Sequence, residues 1–176
     1  AGKTTLLRMI TGILIPDAGE VYVNGNLTDL VNNAKFIGYM PEERGLYKKM
    51  KVGEQLIYLA QLKGLSKKEA TKRINAWFKK FDIESWWDKK VEELSKGMQQ
   101  KIQFIATIVH DPSLIILDEP LITLDKTSQQ VISQLIKDKT NSGVSFLFAT
   151  HQDFENALIV PDRVYEVKDK TISLIP

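Results

Sequence analysis

Leu114-Ile115-Ile116-Leu117 runs four apolar residues without a break and then meets Asp118-Glu119-Pro120. A strand that is apolar on both faces belongs inside a sheet covered on both sides, the usual setting of a parallel strand. The proline ends it. Two adjacent carboxylates at the end of such a strand are costly to bury unless a cation or hydrogen-bond donors meet them. This stretch points to an α/β class with a mostly parallel sheet, and it marks the strand's carboxyl end as a candidate site.

The rest of the chain supports that class. Thr4 to Thr11 reads as a helix, and Pro16-Asp17-Ala18-Gly19 as a turn. Val21-Tyr22-Val23 reads as a short strand closed by Asn24-Gly25, a hairpin signal. Phe36-Ile37-Gly38-Tyr39 is another. From about Gly53 the period changes to that of a helix, with Leu56, Leu59, Ala60 and Leu62 on one face and Gly64 at its end. Ser66-Lys67-Lys68-Glu69 has the form of a capping box, and Ile74, Trp77, Phe78 and Phe81 form the next buried stripe. A helix is expected from Gly97 to about His110 and another from Asp125 to Lys139. Val144 to Ala149 reads as a further buried strand, and Val164–Val167 and Thr171–Leu174 as short ones. The span 41–103 carries helical signals and no strand signal, so a helical subdomain inserted into one sheet domain covering 1–176 is expected.

At the start of the chain stands Ala1-Gly2-Lys3-Thr4-Thr5. Gly2-Lys3-Thr4 has the form of the tail of a phosphate-binding loop, G-x-x-x-x-G-K-[ST]. There, backbone N–H groups at a helix N-terminus point at phosphate oxygens. Lys3 is the candidate point charge for the β- and γ-phosphates, and the Thr4 hydroxyl a candidate Mg²⁺ ligand together with Asp118. Glu119 is the candidate to polarise an attacking water. The first glycine of the loop and a strand leading into it are not in the chain. A fragment lacking its N-terminal strands is therefore expected, binding nucleotide poorly and inactive by itself.

Just upstream of the acid pair lies Leu94-Ser95-Lys96-Gly97-Met98-Gln99-Gln100. Taken with GKTT and ILDEP, in that order, this string resembles the ATP-binding subunits of ABC transporters, and the resemblance spans nearly the whole chain. It implies a P-loop ATPase core, with Thr5 touching the inner phosphate. It implies that Ser95 and Gly97 open a helix whose end completes the site of an opposite subunit, with Gln99 and Gln100 steadying the loop. His151, after Ser145-Phe146-Leu147-Phe148-Ala149-Thr150, resembles the histidine that contacts the γ-phosphate and the attacking water. Asp125 matches the aspartate of the loop that partners it.

Two positions depart from the family pattern. Leu121-Ile122-Thr123-Leu124-Asp125 has Ile122-Thr123 where the family has small residues. Glu42 stands where a glutamine normally touches Mg²⁺ and water; the other reading is that Glu42 and Glu43 only solvate a loop. The run Pro41-Glu42-Glu43-Arg44-Gly45-Leu46-Tyr47 resembles a sodium-, drug- or peptide-efflux subgroup, which favours export.

The resemblance implies an ATPase that binds ATP and Mg²⁺ and pairs as a homodimer or heterodimer. It would drive an integral-membrane permease from the cytoplasmic face of the cell membrane. The alternative within the same resemblance is a non-transport ABC ATPase acting on ribosomes or DNA. A net charge of +2 gives no argument for nucleic acid, and zero cysteine removes disulfides, thiolate metal sites and thiol nucleophiles. No apolar run approaches the ~20 residues of a membrane helix. Trp86-Trp87 reads as packing for the helical block or as part of an interface. Lys67, Lys68, Lys72, Lys79, Lys80, Lys89 and Lys90 read as solvated faces, with anionic headgroups as the other reading. His110 reads as a helix-end residue.

Overall fold

A computed structural model of the chain describes residues 2–43, 45–121, 123–151 and 159–175. Ala1, Arg44 and Ile122, singled out above, lie outside the described residues. Three strands form a parallel sheet: β3 (Ile37–Met40), β4 (Leu114–Asp118) and β5 (Ser145–Ala149), with β4 in the middle. Met40 lies opposite Leu117, and Asp118 opposite Ala149. The carboxyl ends of all three strands therefore come out at one edge. Two antiparallel pairs flank this sheet, β1 (Tyr22–Val23) with β2 (Asn26–Leu27), and β6 (Val164–Lys168) with β7 (Thr171–Ile175). The turn at Asn24-Gly25 has φ of 52° and 75°, the left-handed pair a tight hairpin needs.

Helices cover both faces of the sheet, and the period of two decides which side chains meet which helix. Ile115 and Leu117 point to one face. There they join Met40, Leu56 of α3 (Val52–Leu62), Ile74 and Phe78 of α4 (Lys67–Phe81), Ile102 and Ile105 of α5 (Lys96–Ile108), and Ile132 of α6 (Lys126–Asn141) in one apolar cluster. Ile116 points to the other face, with Ile37, Ala149 and Leu7 of α1 (Lys3–Ile10). Ile115, Ile116 and Leu117 are fully buried. Each such side chain contributes about 1.5–3 kcal/mol of transfer free energy. The alternation continues one residue further, so Asp118 emerges on the α1 side.

Helix starts follow the side chains that cap them. Ser66, Ser95 and Asp125 each accept a backbone N–H from the first turn of α4, α5 and α6. The capping box at Ser66 is only half made, because Glu69 turns to Arg73 at 2.8 Å. Three further departures have local causes. A one-turn helix, α2 (Leu30–Asn33), was not expected; Asp29 caps it by accepting from Val31 and Asn32. Leu62 is 62% exposed, because α3 stops there and its apolar face has already passed to Ala60. β5 is only partly buried, since it forms the border of the three-stranded sheet.

Trp86 and Trp87 are half-buried against the apolar cluster, Trp87 edge-to-face with Phe78 at 5.5 Å. The seven lysines read as solvated are all exposed, Lys80 lying over the Trp77 ring at 4.7 Å. His110, just past α5, is buried, with Nε2 3.3 Å from the Ile37 carbonyl. Burial, aided by Lys63, pushes its pKa from 6.5 down to about 4. Protonation then favours the unfolded chain, so this stability is complete above pH 6.5 and is lost as pH falls toward 4. We expect His110→Leu in the full-length protein to flatten that fall. Thermal unfolding midpoints measured stepwise over the interval check it.

Candidate functional site

The three strand ends deliver three pairs of residues to the same edge: Pro41-Glu42, Asp118-Glu119 and Thr150-His151. The N-terminus of α1 meets them there. Gly2 begins that helix at φ 101°, a left-handed angle that suits glycine. No side chain caps α1 and no acid sits in its first turn, so its leading N–H groups are available to an anion. Thr5 is exposed on the same turn. The Thr4 hydroxyl donates to Asp118 Oδ2 at 2.8 Å. This hydroxyl–carboxylate pair supplies hard oxygen ligands of the kind Mg²⁺ takes together with phosphate oxygens and water. Among the described residues no group of three His, Cys, Asp or Glu stands ready to hold a metal alone. The Thr4–Asp118 pair thus fits a metal whose remaining ligands are phosphate oxygens and water.

Glu119 has φ 52°, in the left-handed region that non-glycine residues enter at a cost of order 1–3 kcal/mol. Each of its polar groups has a partner. Its N–H donates to the Ala149 carbonyl at 2.9 Å. Its carbonyl accepts from Gln100 Nε2 at 3.2 Å. Its carboxylate accepts the His151 N–H at 2.8 Å and the Thr150 hydroxyl at 3.1 Å. The carboxylate is 5% exposed, whereas the His151 ring is 78% exposed. Lys3 Nζ lies 3.2 Å from His151 Nδ1. An ammonium can only donate, so Nδ1 accepts and the ring proton belongs on Nε2, 3.8 Å from Glu119 Oε1. Lys3, Thr4, Asp118, Glu119 and His151 therefore form one constellation.

Ser95, Gly97, Gln99 and Asp125 form a second group around the start of α5. Ser95 is exposed and accepts the Met98 N–H at 3.3 Å. Gln99 donates to the carbonyls of Val91 and Leu94, at 3.2 and 3.0 Å, and so ties down the loop entering the helix. Asp125 pairs with Lys101 at 2.8 Å while capping α6. Lys101 first, and the Ser128 N–H next, hold its pKa down at about 2. A Cβ on Gly97 would stand 2.6 Å from the Thr123 carbonyl oxygen, so only glycine lets the first turn of α5 come this close to that loop.

Glu42 is exposed, and among the described residues nothing pairs with it. Its loop is nevertheless held, because Gln103 Nε2 donates to the carbonyls of Pro41 and Glu43 at 2.8 and 3.3 Å. Sequence reasoning missed Gln103, Thr150 and the contacts that Gln100 makes across to the acid pair. The spacing Gln100-x-x-Gln103 places both on one side of a helix and was the available signal. We expect Gly97→Ala to push Thr123 away and cost about 1–3 kcal/mol, the range for overpacking, as measured by denaturant unfolding of the full-length protein.

Comparison with known proteins sets this geometry beside others. A family model described as ABC transporter matches residues 1–122. ABC transporter ATP-binding protein YhaQ of Bacillus subtilis (strain 168) is 50% identical over 152 residues, which is 86% of this chain and 51% of that protein. The chain likewise spans 57% and 60% of the lengths of two further relatives. The matches include proteins named for opposite directions. The spermidine/putrescine import ATP-binding protein PotA of Fusobacterium nucleatum is 34% identical, covering 93% of this chain and 44% of that one. The SkfA peptide export ATP-binding protein SkfE of Bacillus subtilis (strain 168) is 32% identical, covering 96% and 70%. A solved structure described as a dimeric post-hydrolysis state of an ATP-binding cassette bound to ADP and Pi superposes with a TM-score of 0.77 at 25% identity, covering 86% of this chain and 70% of that one.

Proposed function

The chain belongs to the ABC transporter family, and from that membership we propose that it binds ATP with Mg²⁺ and hydrolyses it to power a membrane permease. The observation that carries this reading is the constellation at the sheet edge. An uncapped helix start, the Thr4–Asp118 pair and a fully partnered Glu119 meet there. The leading N–H groups of α1 and Lys3 take the phosphates, with Thr5 on the inner one. Thr4 and Asp118 would hold Mg²⁺, which would supply positive charge against the phosphate oxygens. Glu119 accepts the proton of a water as that water's oxygen bonds to the γ-phosphorus and the β–γ bridging bond breaks. His151 donates from Nε2, and with Lys3 it stabilises the charge on the transferring group.

The second group serves a mate. Ser95 and Gly97, with the N-terminus of α5, face the nucleotide of an opposite protomer, and Gln99 keeps that end in place. Asp125 keeps the intervening loop in register. Two ATP molecules then lie between two protomers, identical or homologous. The helical span 41–103 acts as the subdomain that moves on closure. Glu42 would then stand as a further carboxylate for Mg²⁺ and the attacking water. The permease docks beside Tyr47, where Gln55 grips both backbone groups of Tyr47, and Tyr58 stands edge-to-face with Tyr47 at 6.3 Å. No helix among the described residues is long and apolar enough to cross a membrane. The working place is the cytoplasmic face. Export is the direction favoured by the 41–47 run, although matched relatives are named for both directions.

In the full-length protein, Glu119→Gln is expected to keep ATP binding and to accumulate the ATP-bound dimer, while turnover falls by about 10²–10⁴. Light scattering and phosphate release measure the two effects; undiminished turnover overturns the assignment. Glu42→Gln is a separate test. A changed Mg²⁺ dependence of the rate is expected, and an unchanged rate and dependence remove Glu42 from the site.

A further inference from the structure

Resting on the reading just given, we propose that Gln100 is a positioning residue for Glu119, and that through it the end of α5 facing the mate is keyed to the hydrolytic carboxylate of its own protomer. Gln100 lies five residues after Ser95, one turn beyond Gly97, and is buried. Its amide is used at every valence. Nε2 donates to the carbonyls of Glu119 and Pro120 at 3.2 and 2.9 Å. Oε1 accepts the Thr123 N–H at 3.3 Å and the Thr123 hydroxyl. Only this orientation sets the NH₂ against acceptors and the oxygen against donors.

These bonds fall where the backbone most needs them. Glu119 occupies the left-handed region, which persists only when its surroundings over-determine it. Its N–H and its carboxylate are held from β5 and the residues just after it. Its carbonyl is held from α5, by Gln100. Relaxation of φ at Glu119 would turn its carbonyl and its Cβ together about the N–Cα bond, and so take the carboxylate off Thr150 and His151. On either side of Gln100 the same helix touches the same loop again, with Gly97 against the Thr123 carbonyl and Lys101 on Asp125 at 2.8 Å. Lys101 also lies 5.8 Å from the Trp86 ring, which ties this end of α5 to the segment before it. A shift of α5 when Ser95 engages the mate's nucleotide is thereby delivered to the Glu119 carbonyl.

The test is Gln100→Glu in the full-length protein. It keeps the oxygen that faces Thr123 and replaces the NH₂ that faces the two carbonyls. ATP affinity and ATP-dependent dimerisation are expected to stay within about twofold of wild type. The single-turnover hydrolysis rate is expected to fall about ten- to a hundredfold, the scale of a misplaced catalytic group. Thr123→Val, which loses only the hydroxyl, is expected to show a smaller fall of the same kind. If Gln100→Glu does not fold, Gln100→Met, which removes the amide without adding charge, takes its place. A folded variant whose hydrolysis stays within twofold of wild type overturns the proposal. So does one in which affinity and turnover fall together, since that marks general disruption. Wild-type protein that neither binds nor hydrolyses ATP would instead defeat the functional reading on which this rests.

Discussion

The central strand β4 is bonded on both edges and covered on both faces, and the site inherits its coordinates from that fact. A strand in this position has no freedom to slip, because a one-residue shift would turn Ile115 and Leu117 toward α1 and Ile116 toward the helices on the other side. The pleat therefore fixes which way Asp118 points. It emerges toward α1 and meets Thr4 there, 114 residues away in sequence. The parallel arrangement does the rest, bringing the ends of β3 and β5 to the same edge, where open α/β sheets place their ligands.

Immediately beyond that fixed point the chain does something costly. Glu119 turns into left-handed backbone geometry, and its neighbours compensate with partners for its amide, its carbonyl and both carboxylate oxygens. A carboxylate buried to this degree without donors would be strongly disfavoured. Here the donors come from the residues after β5, so the orientation of Glu119 and the placement of His151 are one arrangement. The Lys3–His151 contact closes a ring from α1 through β5 to β4.

Much of this was legible in the sequence. The four-residue apolar run and its acid pair gave a strand covered on both faces, the capping form at Ser66 gave the start of α4, and the helices expected from Gly97 and Asp125 begin within one residue of α5 and α6. Lys3, Thr4, Asp118, Glu119 and His151 were candidates by type and order, and the fold gathers them. What was not legible depended on distance in space. Gln100 and Gln103 look alike in sequence, yet one clasps the loop after β4 and the other the loop after β3. The exposure of β5 and of Leu62 follows from which elements stand beside them, which periodicity alone does not encode. The one-turn α2 is set by a single Asp29 cap, too short a feature for any periodic pattern.

The apolar cluster on one face of the sheet has a mechanical corollary. Val52 and Leu56 of α3, Ile74 and Phe78 of α4, Ile115 and Leu117 of β4 and Ile132 and Ile136 of α6 all belong to a single contiguous core. A wide hinge between the helices and the sheet would split that core and wet both halves, at about 25 cal/mol for every Å² uncovered. Sliding along the packed surfaces avoids the penalty. A core continuous across these elements thus favours shear of packed surfaces over a wide hinge.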